Sequence, residues 1–158
     1  MAELVYDKDG RLLFTKEMKK EYTLLMPQML PVHFGMFQKL LQLEGYKVDM
    51  LTTHHHAIVE EGQKYVHNDT CYPALLVIGQ LIEAVKNGGY DPHKVALLIT
   101  QTGGGCRASN YIHLLRKALH KAGYDYIPVI SVSFGVEKNP GFGLSLSLIR
   151  KLAYAMLY

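Results

Sequence analysis

Cys71, in the segment HNDTCYP, and Cys106, directly after TGGG, are the two thiols of this 158-residue chain. Each stands where a loop runs into a predicted helix. A helix amino terminus offers unpaired amides and a positive electrostatic end, which stabilise a thiolate, an anionic ligand or the sulfides of a metal cluster. The two positions are 106 minus 71, or 35 residues, apart and carry no local metal motif, so only folding can bring them together. Thiolates are suitable iron–sulfur ligands, yet two cannot fill a four-cysteine site. Another domain, a second subunit, solvent, substrate or a nearby nitrogen or oxygen would have to supply the rest. The alternative is a pair of buried thiols without chemistry.

Gly103, Gly104 and Gly105 let the backbone beside Cys106 approach a ligand closely, as an anion nest or a sulfide shelter, or simply make a tight strand-to-helix turn. Arg107 can face an anion through its directed donors or stay solvated. Gly103, Gly105 and Ala108 satisfy G-x-G-x-x-A, but after a late strand and without an acidic residue at the ribose-facing position. A Walker A loop is absent from the sequence, and a cysteine-phosphatase loop from Cys106 fails because Ile112 stands where the arginine is needed. His54, His55 and His56 cannot all project to one point from a regular element. His67, four residues before Cys71, reads as a loop hydrogen-bonding residue, as Asn68, Asp69 and Thr70 do.

The elements that hold these loops follow from periodicity. KVALLIT at 94–100 is a continuous apolar run between turn signals, the pattern of a strand buried on both faces of a parallel sheet. Other strands are predicted to begin near 22, 46 and 126. Helices are predicted over Val32 to Glu44, from Thr53 as cap to about Tyr65, and from Pro73 to Asn87, where a missing amide hydrogen costs little at the start. Further helices follow in the segment after the triple glycine, with Ile112, Leu115 and Leu119 on one face, and at 144–158. Strand and helix alternate, which predicts an α/β fold: a three-layer, mostly parallel, four-stranded Rossmann-like sheet flanked by helices. Residues 1–20 read as an amino-terminal arm or hairpin around Asp9-Gly10, and 21–158 as the α/β domain. The last helix lacks a glycine cap or polar stop, so Tyr158 reads as a point within a longer protein or as a docked end.

Composition narrows the functional classes. At 49% hydrophobic and 20% charged, the chain has the make-up of one folded domain and not of a disordered or collagen-like one. The net charge of +3 comes without a dense Lys/Arg run, so no nucleic-acid partner is expected. The charged amino terminus does not read as a signal peptide, and no apolar run approaches a membrane span, so a cytoplasmic, reduced setting is expected.

MPQMLPVHFG, GYKVDMLTT, NDTCYPA and LLITQTGGGCRASNYIHLLRKAL together resemble the 2-hydroxyacyl-CoA dehydratase family, in particular the dehydratase-like region of large proteins that also carry activase-like ATPase modules. The resemblance spans about residues 22–158, and NDTCYPA and QTGGGCR are its specific parts. It implies that Cys71 and Cys106 ligate an iron–sulfur cluster of the 4Fe-4S kind, with Gly103, Gly104, Gly105 and Arg107 bordering it. A third family cysteine has no counterpart in this chain. The implied partners are the remainder of a parent chain or a second dehydratase-like lobe, and an ATP-dependent activase. The implied activity is ATP-coupled dehydration by the intact parent, with this chain inactive alone. Outside the resemblance, a cofactor-free scaffold or regulatory module, or a small-molecule or nucleotide-binding α/β domain, stays open.

Overall fold

A computed structural model of the chain describes residues 3–100, 110–132, 139–143 and 145–157. Four strands, β3 (Thr23–Pro27), β4 (Lys47–Leu51), β5 (Val95–Thr100) and β6 (Val129–Val132), form one all-parallel sheet in the order β4-β3-β5-β6. Leu25 of β3 pairs with Asp49 of β4 on one side and Leu97 of β5 on the other; Leu97 in turn pairs with Val129. The chain therefore starts its sheet in the middle, adds β4 to one flank, then crosses β3 to build the other. That reversal makes a switch point between β3 and β5, where open α/β sheets present a crevice beyond the strand carboxyl ends.

Both faces of the sheet are covered, which is why the inner strand β5 reads as an apolar run rather than an alternation. Leu25, Leu51, Leu97, Ile99 and Val129 point to one face, under α4 (Tyr72–Asn87) and α5 (Tyr111–Ala122). Leu24, Met26, Val48, Leu98 and Ile130 point to the other, against α2 (Pro31–Leu43), through Phe37 and Leu41, and Leu148 of α6 (Leu146–Leu157). The result is the expected three-layer α/β arrangement. Each fully buried Leu or Ile contributes about 1.5–3 kcal/mol relative to exposure.

The amino-terminal hairpin forms from β1 (Val5–Tyr6) and β2 (Leu12–Leu13), paired antiparallel. Its return is built into the second core: Phe14 and Met18, the latter at the head of a short helix α1 (Met18–Glu21), are fully buried. The Gly141 amide donates to the Phe14 carbonyl at 2.7 Å, and a Cβ at Gly141 would lie 2.0 Å from the Thr15 carbonyl oxygen.

Boundaries differ from expectation in places. The helix expected with Thr53 as its cap begins three residues later, as α3 (Ala57–Tyr65) with His56 at its cap position, because the Thr53 carbonyl is held by a side chain of α4. The last strand begins at Val129 rather than near 126, since Tyr124–Ile127 form a turn closed by the Ile127 amide on the Tyr124 carbonyl. α5 ends as expected of a glycine cap, with Gly123 at φ +80°.

α3 crosses α4 at a contact of two glycines. A Cβ on Gly79 would stand 2.0 Å from the Ile58 carbonyl oxygen, and one on Gly62 2.5 Å from that of Leu75. Backbone-to-backbone approach of this kind leaves α4 buried from Val77 to Val85 between the sheet and its neighbouring helices.

Candidate functional site

Cys71 is the N-cap residue of α4, in an extended conformation (φ −61°, ψ 144°), with its carbonyl accepting from the amides of Ala74 and Leu75. Its thiol makes no cap bond to the helix. Instead Sγ lies 3.6 Å from the hydroxyl oxygen of Tyr111, the first residue of α5. Two helix amino termini therefore meet at the half-buried sulfur, and both contribute positive potential. The preceding loop is self-supporting: the Thr70 amide donates to the His67 carbonyl, and the Asp69 amide to His67 Nδ1 at 3.2 Å. His67 thus has the loop hydrogen bond expected of it.

Gln80, in the middle of α4 and 5% exposed, ties this helix to the carboxyl ends of two strands. Its Nε2 donates to the carbonyls of Leu51 (3.1 Å), the last residue of β4, and of Thr53 (3.0 Å). Its Oε1 accepts from the Gln28 amide just past β3, at 3.2 Å. Both donor hydrogens and the acceptor are used, so the amide can sit in a core at little cost. Across the switch point the Thr100 hydroxyl, ending β5, donates to the Met29 sulfur at 3.5 Å. Thr53 Oγ1 is buried with no hydrogen-bond partner among the described residues. Leu30, Val32 and Tyr72 expose apolar surface at the starts of α2 and α4.

Of the site residues expected from sequence, the structure describes Cys71. Cys106, Gly103, Gly104, Gly105 and Arg107 lie outside the described residues, whose nearest members are Thr100 and Asn110. The histidine triplet diverges, as expected: His55 Nε2 is 3.9 Å from Glu83 on α4, while His56 Nδ1 is 3.1 Å from Glu60 on its own helix. Sequence reading missed Gln80 and Tyr111. The amide inside ALLVIGQLIEAV is a detectable signal, since a polar residue in a largely apolar stretch must find buried partners. Nothing in the sequence singled out Tyr111.

The charged groups on α3 and at the far, carboxyl end of α4 are structural. Glu61 of α3 bonds Lys64 at 2.8 Å and Lys86 of α4 at 2.7 Å. Burial alone would raise its carboxyl pKa, but the two ammonium partners outweigh that and leave it lowered. The hydrogen bonds to Glu61 and to the Tyr65 hydroxyl raise Lys86 correspondingly. Tyr90 donates to Asp49 of β4; burial, then that hydrogen bond, pushes its phenol up to about 12.

Among the described residues no group of three or more His, Cys, Asp or Glu side chains is arranged to hold a metal ion. None of their helices is long and apolar enough to cross a membrane. No protein-family model, curated protein or solved structure matches the chain.

Proposed function

We propose that this chain is the iron–sulfur-associated α/β lobe of a 2-hydroxyacyl-CoA dehydratase or of an activase-related redox protein, working in the cytoplasm with the rest of its parent chain or a second dehydratase-like lobe and with an ATP-dependent activase. One contact carries the reading most directly: Cys71, in the family-like NDTCYPA segment, touches Tyr111, five positions after Cys106 in the family-like QTGGGCRASNY segment. The two segments behind the resemblance are thereby linked at the carboxyl edge of the sheet, beside the switch point.

The described residues fit a cluster in part. Cys71 offers a soft ligand at a positive helix end, which favours the thiolate form a cluster requires. Cys106 is the second ligand of this reading, with Gly103, Gly104, Gly105 and Arg107 bordering the group. Another domain, a second subunit, solvent, substrate or a nearby nitrogen or oxygen supplies the remaining ligands. When bound, the cluster supplies one-electron chemistry for removing water from a 2-hydroxyacyl-CoA. This chain's own part is to hold Cys71 fixed, through Tyr111 and the Gln80 clamp, and to keep one wall of the crevice apolar.

The test is iron and acid-labile sulfide content, with visible absorption, of the protein in its full-length context, prepared without oxygen. A stoichiometric cluster that is weakened or lost in Cys71→Ser and in Cys106→Ser is expected. Unchanged content in both folded variants rejects ligation by these residues. This chain by itself is expected to yield no dehydrated acyl-CoA, because substrate and electron donor must be held together for the step. The switch point between β3 and β5 also favours a second reading, a small-molecule or nucleotide site without metal; ligand binding there by protein that takes up no iron would select it.

A further inference from the structure

The opposite, amino-terminal edge of the sheet carries a cleft of about 440 Å³, within the size range of small-ligand pockets. One wall is the hairpin, through Leu4, Tyr6 and Leu12; the other is the body of the domain, through Tyr22, His93 and Tyr126. The body rings are held in place. His93 stacks on Tyr126 at 4.5 Å and 14°, Tyr124 meets Tyr126 edge-on, and Tyr22 stands edge-on to the buried Phe14. Tyr6 is half exposed across the gap.

We propose that this cleft binds a small organic cation of the alkylated-ammonium class, held among the rings of Tyr6, Tyr22 and Tyr126 with Glu21 at its rim. Aromatic rings attract such cations by their electron-rich faces, and an alkylated ammonium sheds its weak hydration readily on entering an apolar cleft. The local charge has the matching sign at two points: Glu21 lines the cleft, and the Asp91 carboxylate lies near enough to act on both Tyr22 and Tyr126. Burial, then Glu21 and Asp91, raises the Tyr22 phenol, and burial, then Tyr124 and Asp91, raises that of Tyr126, so both rings stay neutral at physiological pH. Lys94 also lines the cleft and opposes a cation. That opposition gives the proposal a sign that can be read.

The experiment titrates the full chain with tetramethylammonium and choline, and with 3,3-dimethylbutan-1-ol as choline's neutral isostere, following tyrosine fluorescence and amide chemical shifts. A saturable response to the ammonium ions is expected, with the isostere at least about five-fold weaker. Tyr6→Ala and Glu21→Gln should each weaken binding roughly two- to five-fold, while Lys94→Met should tighten it. All three positions are on the surface of the cleft, so circular dichroism and melting temperature establish that the variants are folded. A trimethyllysine peptide beside its unmethylated form separates the two sources of this chemistry: a methyl-dependent gain over choline indicates a protein tail, and equal affinity a free metabolite. Equal binding of the isostere would overturn the proposal in favour of a merely apolar groove. Reversed signs at Glu21 and Lys94 would overturn it in favour of an anion, and no saturation by about 50 mM would overturn it outright.

Discussion

The sulfur of Cys71 and the phenol oxygen of Tyr111 lie 3.6 Å apart, joining the N-cap of one helix to the first residue of another, 40 positions apart in the chain. In its neutral form the pair shares one hydrogen bond with either atom as donor; against a thiolate, the tyrosine donates. A double-mutant cycle with Cys71→Ala and Tyr111→Phe should therefore show a coupling of about 0.5–1.5 kcal/mol in denaturant unfolding. Additive losses would mean that the contact contributes nothing.

Gln80 offers a cleaner electrostatic test. In Gln80→Glu the Gln28 amide keeps an acceptor, but a carboxylate faces the carbonyls of Leu51 and Thr53. The variant should lose about 1–3 kcal/mol at neutral pH. Its folded-state carboxyl pKa is raised, so the protonated form is favoured in the fold, and stability should recover as pH falls toward the ordinary glutamate range. Gln80→Leu should lose stability with no such recovery. Chemical denaturation of both variants between neutral and mildly acidic pH separates them.

Gly79→Ala should be destabilising even though alanine is the better helix former. The propensity gain is about 1 kcal/mol. Against it, the new methyl would sit 2.0 Å from the Ile58 carbonyl oxygen, a backbone atom that can move only with α3. A net loss of about 1–3 kcal/mol is expected, with increased amide exchange in α3 and around Cys71. A neutral or stabilised variant would show that the two helices separate freely.

Tyr90 sets an alkaline limit. Its phenol, ordinarily near 10, is raised to about 12 by burial and by the hydrogen bond to Asp49. The fold thus favours the protonated form: the associated stability is present below 10 and is lost as pH climbs toward 12. Ultraviolet titration should show a phenol ionising near 12 that is missing in Tyr90→Phe. The loss of stability between those two pH values should be smaller in the variant.

Much of the frame was readable because burial on both sheet faces leaves a local mark. Val95 to Ile99 form an uninterrupted apolar run, and β5 does lie inside the sheet, between β3 and β6. Ile112, Leu115 and Leu119 keep helical spacing and do face the core. Cys71 was readable as a helix-start residue because Pro73 marks the first turn. What could not be read are relations made only by tertiary contact. Tyr111 looks like one more apolar position of its helix until α4 is packed beside it. The cleft at the far edge draws Tyr6, Tyr22 and Tyr126 from three separate stretches of chain. The delayed start of α3 has the same origin, since the Thr53 carbonyl that would serve a cap is occupied by an amide 27 residues later.

The join between Phe14 and the chain near Gly141 has a consequence for synthesis. Phe14 also bonds the Asn139 side chain through its amide, 125 residues downstream, and shares its core with Leu148. A nascent chain leaving the ribosome exposes this phenylalanine early; Tyr22 emerges soon after it, but Asn139 and Leu148 complete its native surroundings only after a further hundred residues or more, Asn139 being 125 positions on. The second core is consequently the last to close, while the face covered by α4 can begin to assemble sooner. During that interval the arm is the segment a chaperone would meet, and pausing of translation near its end would prolong its exposure.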